Sequence, residues 1–550
     1  MAEGTITIDG REIPFEKGET IITAARRAGI EIPHYCWHPG LKAPASCRMC
    51  LVEIEPPPGR PAMMLDILAW DEDQHDYTVV KKPKLMPACQ MGCADGMVVH
   101  NTTSKEVEKA RAAVQEMLLL NHPVDCPICD QAGECSLQDN LVAHYDYDKR
   151  MVDEPLHKVK AVPFSDDIVY DGERCIRCTR CVRISRDLAG DPVLSVRERG
   201  NHSEITVAPG RQLDHPYSLM TANYCPVGAL TPTHFRFKTR VWFLRSGLTL
   251  CQGCATGCNA YLDYDPRTNQ PYRFRPRENE QVNQFWMCDE GMLSYPESQS
   301  GRLLTALVGG DDATMAEALQ AAKKQLKGCE DEPERTAIVL SAQHSNEDNF
   351  ALALLASQYL NATNLYIAGR PAGAGDELLI SEDKNPNTAG VHQVAEQLGL
   401  QPPKPFAELM EKLAKDTYRY VISLGSEIEV DGAEAKNELL RLKGAVAICS
   451  HDGPLSKSAH IALPACSWAE VAGTYVNKSG IPQRAEPVLE PLGDAYPAWQ
   501  IVVALGRAMG FDIDWQSRSD LELAMAPKPP IEAESEAATD TQATVEESSP

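Results

Sequence analysis

With 550 residues and a formal net charge of -25, the chain is long enough for several hydrophobic cores, since one core rarely grows past about 250 to 300 residues. The acidity excludes nucleic-acid binding through clustered Lys and Arg, although six carboxylates and no basic side chain lie between Ile531 and Pro550. The 19 cysteines fall in tight groups within a long chain, a distribution that favours metal ligation in a reducing compartment over disulfides.

Met1 to Gly10 has neither a basic n-region nor an apolar h-region, so no signal peptide is expected. No run approaches the roughly 18 to 20 apolar residues of a spanning helix. Instead Thr5 to Ile8, Asp9-Gly10 and Arg11 to Phe15 alternate around a two-residue turn, which predicts a hairpin. Thr20 introduces a short helix over Ile21 to Ala28, which Gly29 can stop in the left-handed region. Hairpin, helix and cysteine loop is the order of plant-type ferredoxins.

Thr103 and Glu106 stand in capping-box spacing ahead of Val107, Ala110, Val114, Met117 and Leu118, which share one helical face. This helix runs up to Asn121-His122-Pro123 and delivers His122 from a rigid element. Beyond Gly301 clustered cysteines cease and an α/β alternation begins. Strands are expected at Thr336 to Ser341, Tyr418 to Leu424 and Ala445 to Cys449, with helices at Asn346 to Tyr359 and Ala433 to Leu442. From Ala526 the Pro, Glu, Ala, Ser and Thr composition predicts a disordered acidic tail.

Four groups of soft ligands precede Gly301. The first is Cys36-x10-Cys47-x2-Cys50 with a distant fourth thiol, either Cys89 or Cys93. That is a variant of the plant-type spacing in which four cysteines hold two irons, with Gly40, Pro44, Ala45 and Ser46 letting backbone amides approach the sulfurs. The second is His122-x3-Cys126-x2-Cys129-x5-Cys135. It suits a four-iron cluster whose neutral imidazole removes one negative charge and should raise the potential; a zinc site of three cysteines and one histidine is its rival. The third is Cys175-x2-Cys178-x2-Cys181 with a remote Cys225-Pro226, as in bacterial ferredoxins; no second triplet competes for Cys225. The fourth is Cys251-x2-Cys254-x3-Cys258 with Cys288. Fifteen cysteines and His122 thus fill four clusters of four ligands. Cys93 is left over with Cys329, Cys449 and Cys466, the last three isolated and expected as small buried hydrophobes.

No Gly-x-Gly-x-x-Gly follows a strand, no P-loop occurs, and Gly373-Ala374-Gly375 lacks the third glycine. No catalytic constellation stands out, so the chemistry in view is one-electron transfer.

The order of these sets, the run Ser46-Cys47-Arg48-Met49-Cys50-Leu51-Val52-Glu53-Ile54-Glu55, the stretch from His122 through Leu137-Gln138-Asp139, and Pro87-Ala88-Cys89 with Asp95-Gly96 resemble the large iron-sulfur subunit of bacterial NADH:quinone oxidoreductase, respiratory complex I. The resemblance implies a two-iron ligand on Cys89 and four-iron ligands on His122, Cys126, Cys129 and Cys135 and on Cys175, Cys178, Cys181 and Cys225. Cys251, Cys254, Cys258 and Cys288 match a set found in some bacterial members and similar to the cluster that opens molybdopterin oxidoreductases. Segments such as His460 to Ala465 and Glu470 to Asn477 resemble the molybdopterin oxidoreductase domain, here short and expected to carry no molybdopterin.

The fold implied is multidomain α+β and α/β. A β-grasp plant-type ferredoxin domain spans 1-99, a histidine-and-cysteine cluster domain 100-145 and a bacterial-ferredoxin-like domain 146-243. A fourth cluster domain of molybdopterin oxidoreductase type spans 244-300, a truncated α/β domain 301-525 and the tail 526-550. The cofactors implied are one 2Fe-2S and three 4Fe-4S clusters, with no flavin on this chain. Expected partners are an NADH-binding flavoprotein, a small 2Fe-2S subunit and quinone-proximal subunits, at the cytoplasmic face of the bacterial inner membrane and touching it through the complex. An iron hydrogenase would need a second triplet and paired cysteines further on. A formate dehydrogenase would need molybdenum or tungsten, and a zinc-stabilised interaction protein would be colourless.

Overall fold

The computed structural model describes residues 3–145, 150–425, 438–439 and 441–526. The expected hairpin forms from β1 (Gly4–Ile8) and β2 (Arg11–Phe15), with Ile6 opposite Ile13. Asp9 and Gly10 turn it with φ of 47° and 86°, the left-handed pair that a tight hairpin requires. Helix α1 (Ile21–Arg27) buries Ile21, Ile22, Ala24 and Ala25 and is followed by Gly29 at φ 70°. β3 (Leu51–Glu55) adds a further strand to this sheet. Between β3 and the next strand of this sheet a separate ribbon projects, β4 (Met64–Asp71) on β5 (Asp76–Pro83), carrying exposed Leu68, Trp70, Tyr77 and Val79. Strands β6 (Met86–Pro87) and β7 (Val98–His100) complete a β-grasp sheet in the order β2-β1-β7-β3-β6.

Helix α2 (Lys105–Leu119) starts one residue later than the capping-box spacing implies. Its cap is Ser104, whose Oγ accepts from the Val107 amide. The Thr103 hydroxyl is already committed to Asp9 in the hairpin turn at 3.0 Å, and Glu106 pairs with Lys82 at 3.3 Å instead of reaching back. The helix still ends just before Asn121-His122-Pro123. Asn121 then accepts from the Leu156 amide, tying the His122 turn to the following segment.

Two antiparallel three-stranded sheets organise the other cysteine loops. Ile168–Tyr170 lies between Val162–Pro163 and Leu230–Pro232, and Asn259–Asp265 lies between Arg245–Leu250 and Gln270–Pro276. One continuous hydrophobic core includes Tyr35, Cys36, Cys135, Cys178, Cys181, Cys251, Cys258 and Cys288, so members of all four ligand groups share a single interior.

Among the described residues the C-terminal region holds an eight-stranded sheet. Thr336–Ser341, Asn364–Ala368, Tyr420–Leu424, Gly444–Cys449 and Ile461–Pro464 run parallel within it. The first, third and fourth of these fall where strands were expected, and their apolar runs are those of strands covered on both faces. Asn346–Leu354, capped by Ser345 and Asp348, continues as a π-turn through Leu355–Tyr359, so the expected helix is present with a wider last turn. Most of the expected helix Ala433 to Leu442, and the tail beyond Ala526, lie outside the described residues. No described helix is long and apolar enough to cross a membrane.

Arg302 joins this sheet to the cysteine-rich half. Its buried guanidinium meets Glu470 at 2.5 Å and donates to the carbonyls of Ser298, Ser450 and Ala465. A buried cation stripped of its carboxylate costs about 3 to 5 kcal/mol. Glu470→Ala is therefore expected to lower the melting transition of the C-terminal region in calorimetry; an unchanged transition would refute that role.

Candidate iron-sulfur centres

Cys36 lies after α1, Cys47 and Cys50 in the loop that enters β3, and Cys89 after β6; Cys36, Cys50 and Cys89 are almost fully buried. The four sulfurs meet in two pairs. Cys36 lies against Cys47 and Cys50 against Cys89, and within each pair the neighbouring sulfur holds one thiol below the usual range and the other above it. The Ser46 and Cys47 amides also point at Cys36, and the Met49 amide at Cys47. Ala45 and Arg48 adopt left-handed φ of 53° and 61° in this loop, strain of the kind stored at functional sites. Gly40 has a different task from the expected one: a β-carbon there would strike Trp286 and Phe285. Cys93 stands apart from the group. Burial pushes its thiol up to about 11, and the charges that act on it are Glu19 and Arg27, not another cysteine.

His122, Cys126, Cys129 and Cys135 line one cavity of about 70 Å³, walled by Leu119, Leu137 and Leu141. Burial holds the imidazole below its usual range and therefore neutral, the form that binds a metal. His122 Nδ1 is buried without a hydrogen-bond partner. A buried ring nitrogen without a partner, on a residue that lines a cavity with three cysteines, suits a metal ligand. The Gln131 amide donates to Cys129, the Leu137 and Gln138 amides to Cys135, and Cys135 donates to the Pro226 carbonyl at 3.8 Å. The floor of the cavity is Gly228, where a β-carbon would collide with the Cys129 sulfur.

Cys175 and Cys178 precede a short helix, Arg180–Arg183, that contains Cys181, and Cys225 follows Leu219–Asn223. Burial pushes all four thiols up, Cys225 to about 12, and neighbouring thiols add to the shifts of Cys178, Cys181 and Cys225. Arg177 and Thr179 sit at left-handed φ of 56° and 59°, which turns the Arg177 amide onto Cys175 at 3.4 Å. Cys251, Cys254 and Cys258 form the loop between Arg245–Leu250 and Asn259–Asp265, and Cys288 caps Asp289–Leu293. Gly253 donates to Cys251 and Gly291 to Cys288, each at 3.4 Å. Burial raises Cys251 and Cys258 and pushes Cys288 up to about 12.

Thiols that burial keeps protonated need positive charge to become thiolate ligands, and iron supplies it as the proton leaves. Amide donors around the sulfurs then stabilise the net negative charge of a cluster. The donor sets therefore fit iron-sulfur clusters. Among the described residues no three His, Cys, Asp or Glu side chains converge on one point as a single-ion cage requires. Cys329, Cys449 and Cys466 are buried in the α/β region, away from these sets.

Sequence spacing gave no sign of the arginines around these sets. Arg183 Nη2 donates to the carbonyls of Cys36 at 2.5 Å and Cys178 at 3.2 Å, while Arg174 pairs with Asp125 beside the second set. The surrounding cysteine pattern was the available signal, since a charged residue packed between ligand loops has little room to be solvated.

Comparison with known proteins follows the same order along the chain. A 2Fe-2S iron-sulfur cluster binding domain matches residues 2–104, and the NADH-ubiquinone oxidoreductase-G iron-sulfur binding region matches 111–149. The ferredoxin-like domain of NADH-quinone oxidoreductase subunit 3 matches 165–231, and molybdopterin oxidoreductase matches 361–508. The G subunit of NADH-quinone oxidoreductase from Streptomyces coelicolor is 34% identical over 68% of this chain and 43% of its own length. The mitochondrial NADH-ubiquinone oxidoreductase 78 kDa subunit of Candida albicans is 37% identical over 58% and 41%. A solved NAD+-reducing NiFe-hydrogenase in the H2-reduced state shares 30% identity over 44% of this chain and 92% of its own, with a TM-score of 0.36.

Fold and site together define an iron-sulfur protein built from a two-iron ferredoxin domain, four-iron regions and part of a molybdopterin oxidoreductase-like domain. The chain belongs to the family of the NADH-quinone oxidoreductase G subunits. It spans less than half the length of the curated relatives it matches.

Gly228→Ala is expected to displace Cys129 and to lower the iron that the chain retains relative to the unaltered protein. A variant with unchanged iron content would show that Gly228 does not bound that site.

Proposed function

We propose that the chain relays electrons one at a time within the peripheral arm of an NADH:quinone oxidoreductase, from an NADH-oxidising flavoprotein toward quinone. In this reading Cys36, Cys47, Cys50 and Cys89 hold one 2Fe-2S cluster. Three 4Fe-4S clusters are held by His122 with Cys126, Cys129 and Cys135, by Cys175, Cys178, Cys181 and Cys225, and by Cys251, Cys254, Cys258 and Cys288. Bound there, the clusters supply one-electron chemistry, so the two-electron oxidation of a nicotinamide belongs to a flavin on another subunit.

One observation supports a relay above all. The ligand groups are neighbours inside one core, and buried contacts connect the first with the third and the third with the second. Arg183 joins the carbonyls of Cys36 and Cys178, and His122 shares with Cys175 the lining of a small second cavity. The fourth set lies behind a layer of rings, with Tyr224 and His38 packed on Trp286 at 5.4 and 5.1 Å.

The six-part division at 99, 145, 243, 300 and 525 belongs to the same proposal, as do partners in the form of a flavoprotein, a small 2Fe-2S subunit and quinone-proximal subunits. The complex would place the chain peripherally at the cytoplasmic face of the bacterial inner membrane. The α/β region then serves as a scaffold without molybdopterin; molybdenum or tungsten near one per chain would overturn that part.

Iron analysis of the anaerobically purified chain is expected to give about fourteen irons, the sum for one two-iron and three four-iron clusters, with four matching EPR signals after reduction. A value near ten would remove one four-iron site, and a colourless, EPR-silent protein would refute the reading. His122→Cys adds a negative charge and is expected to lower the potential of the second cluster alone; an unchanged potential would rule out the charge explanation.

A further inference from the structure

Three arginines in the front half of the chain, Arg111, Arg180 and Arg183, are buried at 2%, 9% and 5% exposure, and among the described residues none of them makes an ion pair. That is unusual, because a buried guanidinium is normally matched by a carboxylate. Two of them occupy the seam between the first and third cysteine sets. Arg183 donates to the carbonyls of Cys36, Lys42, Cys178 and Thr179, and thereby spans from a cysteine of one set to a cysteine of the other. Arg180 alongside it donates to the carbonyls of Trp37, next to Cys36, and Tyr224, next to Cys225, and its Nε is buried without a partner.

Carbonyl dipoles orient these guanidinium groups but leave their charge intact. The anionic centres within this seam are the two cysteine sets themselves. Resting on the iron-sulfur reading above, we propose that Arg183, with Arg180, is a positioning residue that acts as the shared counter-charge of the first and third clusters, raising both reduction potentials together and fixing the two ligand loops against each other. The transfer it serves is balanced simply. One electron is given up at the first set and taken up at the third, no bond is made or broken, and no proton moves. A cation placed between the two sites favours the added electron on either side, so it lifts both potentials without opposing passage from one to the other. Arg suits the position because its planar fork can bond two carbonyls from different loops at once, which the single ammonium of Lys cannot do in the same geometry.

EPR-monitored redox titration of the full chain with its clusters tests this in Arg183→Gln, Arg183→Lys and Arg180→Gln. In Arg183→Gln the two-iron signal and the signal of the Cys175 set are both expected at lower potential, with the His122 set and the Cys251 set unmoved. Arg183→Lys keeps the charge and is expected to restore both potentials toward the unaltered protein. Unmoved first and third potentials at full iron content would overturn the proposal, as would an equal shift of all four signals or a Lys variant that falls as far as Gln. Should Arg183→Gln fail to retain its clusters, Arg180→Gln decides: a drop confined to the same two signals supports the shared counter-charge, and no drop overturns it. Absence of cluster signals from the unaltered chain would instead remove the iron-sulfur reading on which the proposal rests.

Discussion

The constraint on which the front half of this molecule depends is the burial of ionisable sulfur. Thiols from four loops are gathered into one apolar interior, where desolvation opposes the thiolate that a metal ligand must become. The third set shows it most plainly, since all four of its thiols are held protonated by burial. Backbone amides and nearby arginines offset part of that cost at Cys175 and Cys178, and in the proposed reading iron would supply the rest. The folded interior and the bound clusters are therefore coupled states, each stabilising the other.

Much of this was legible in the sequence because ligand spacing is a local property. Cys-x2-Cys places two sulfurs on one turn whatever the rest of the chain does, and the structure gathers the expected residues of each set. The β1–β2 hairpin was equally legible, because Asp9-Gly10 carries its own turn chemistry. Fully buried strands such as Thr336–Ser341 announce themselves by apolar runs of strand length.

What was not legible depends on contacts far apart in the chain. The cap of α2 moved from Thr103 to Ser104 because the Thr103 hydroxyl is taken by Asp9, 94 residues away. The choice between Cys89 and Cys93 turns on which thiol the strand β6 carries to Cys50, and spacing leaves both open. Nothing local in the sequence marks Gly228, whose close approach is to Cys129, nearly a hundred positions earlier. Nothing local in the sequence marks Arg180 and Arg183 either, because the carbonyls of Trp37, Lys42 and Cys36 that they meet lie far away in the chain.

Relative placement of the sets is a matter of packing across domain seams. Tyr35, next to Cys36, donates to Gln115 of α2, and Gln115 donates to the carbonyl of Leu137, two residues past Cys135. That buried path ties the first set to the second without passing through solvent. On the other side, Gly40 lies flat against Trp286 and Phe285, which brings the loop after Cys36 onto the segment carrying Cys288. Electron exchange between fixed centres tolerates little change in their separation, and each of these seams is closed by buried hydrogen bonds or interlocked rings. The rigidity that the proposed relay would require therefore lies in Tyr35, Gln115, Arg183 and Trp286, none of them a candidate ligand, as much as in the cysteines themselves.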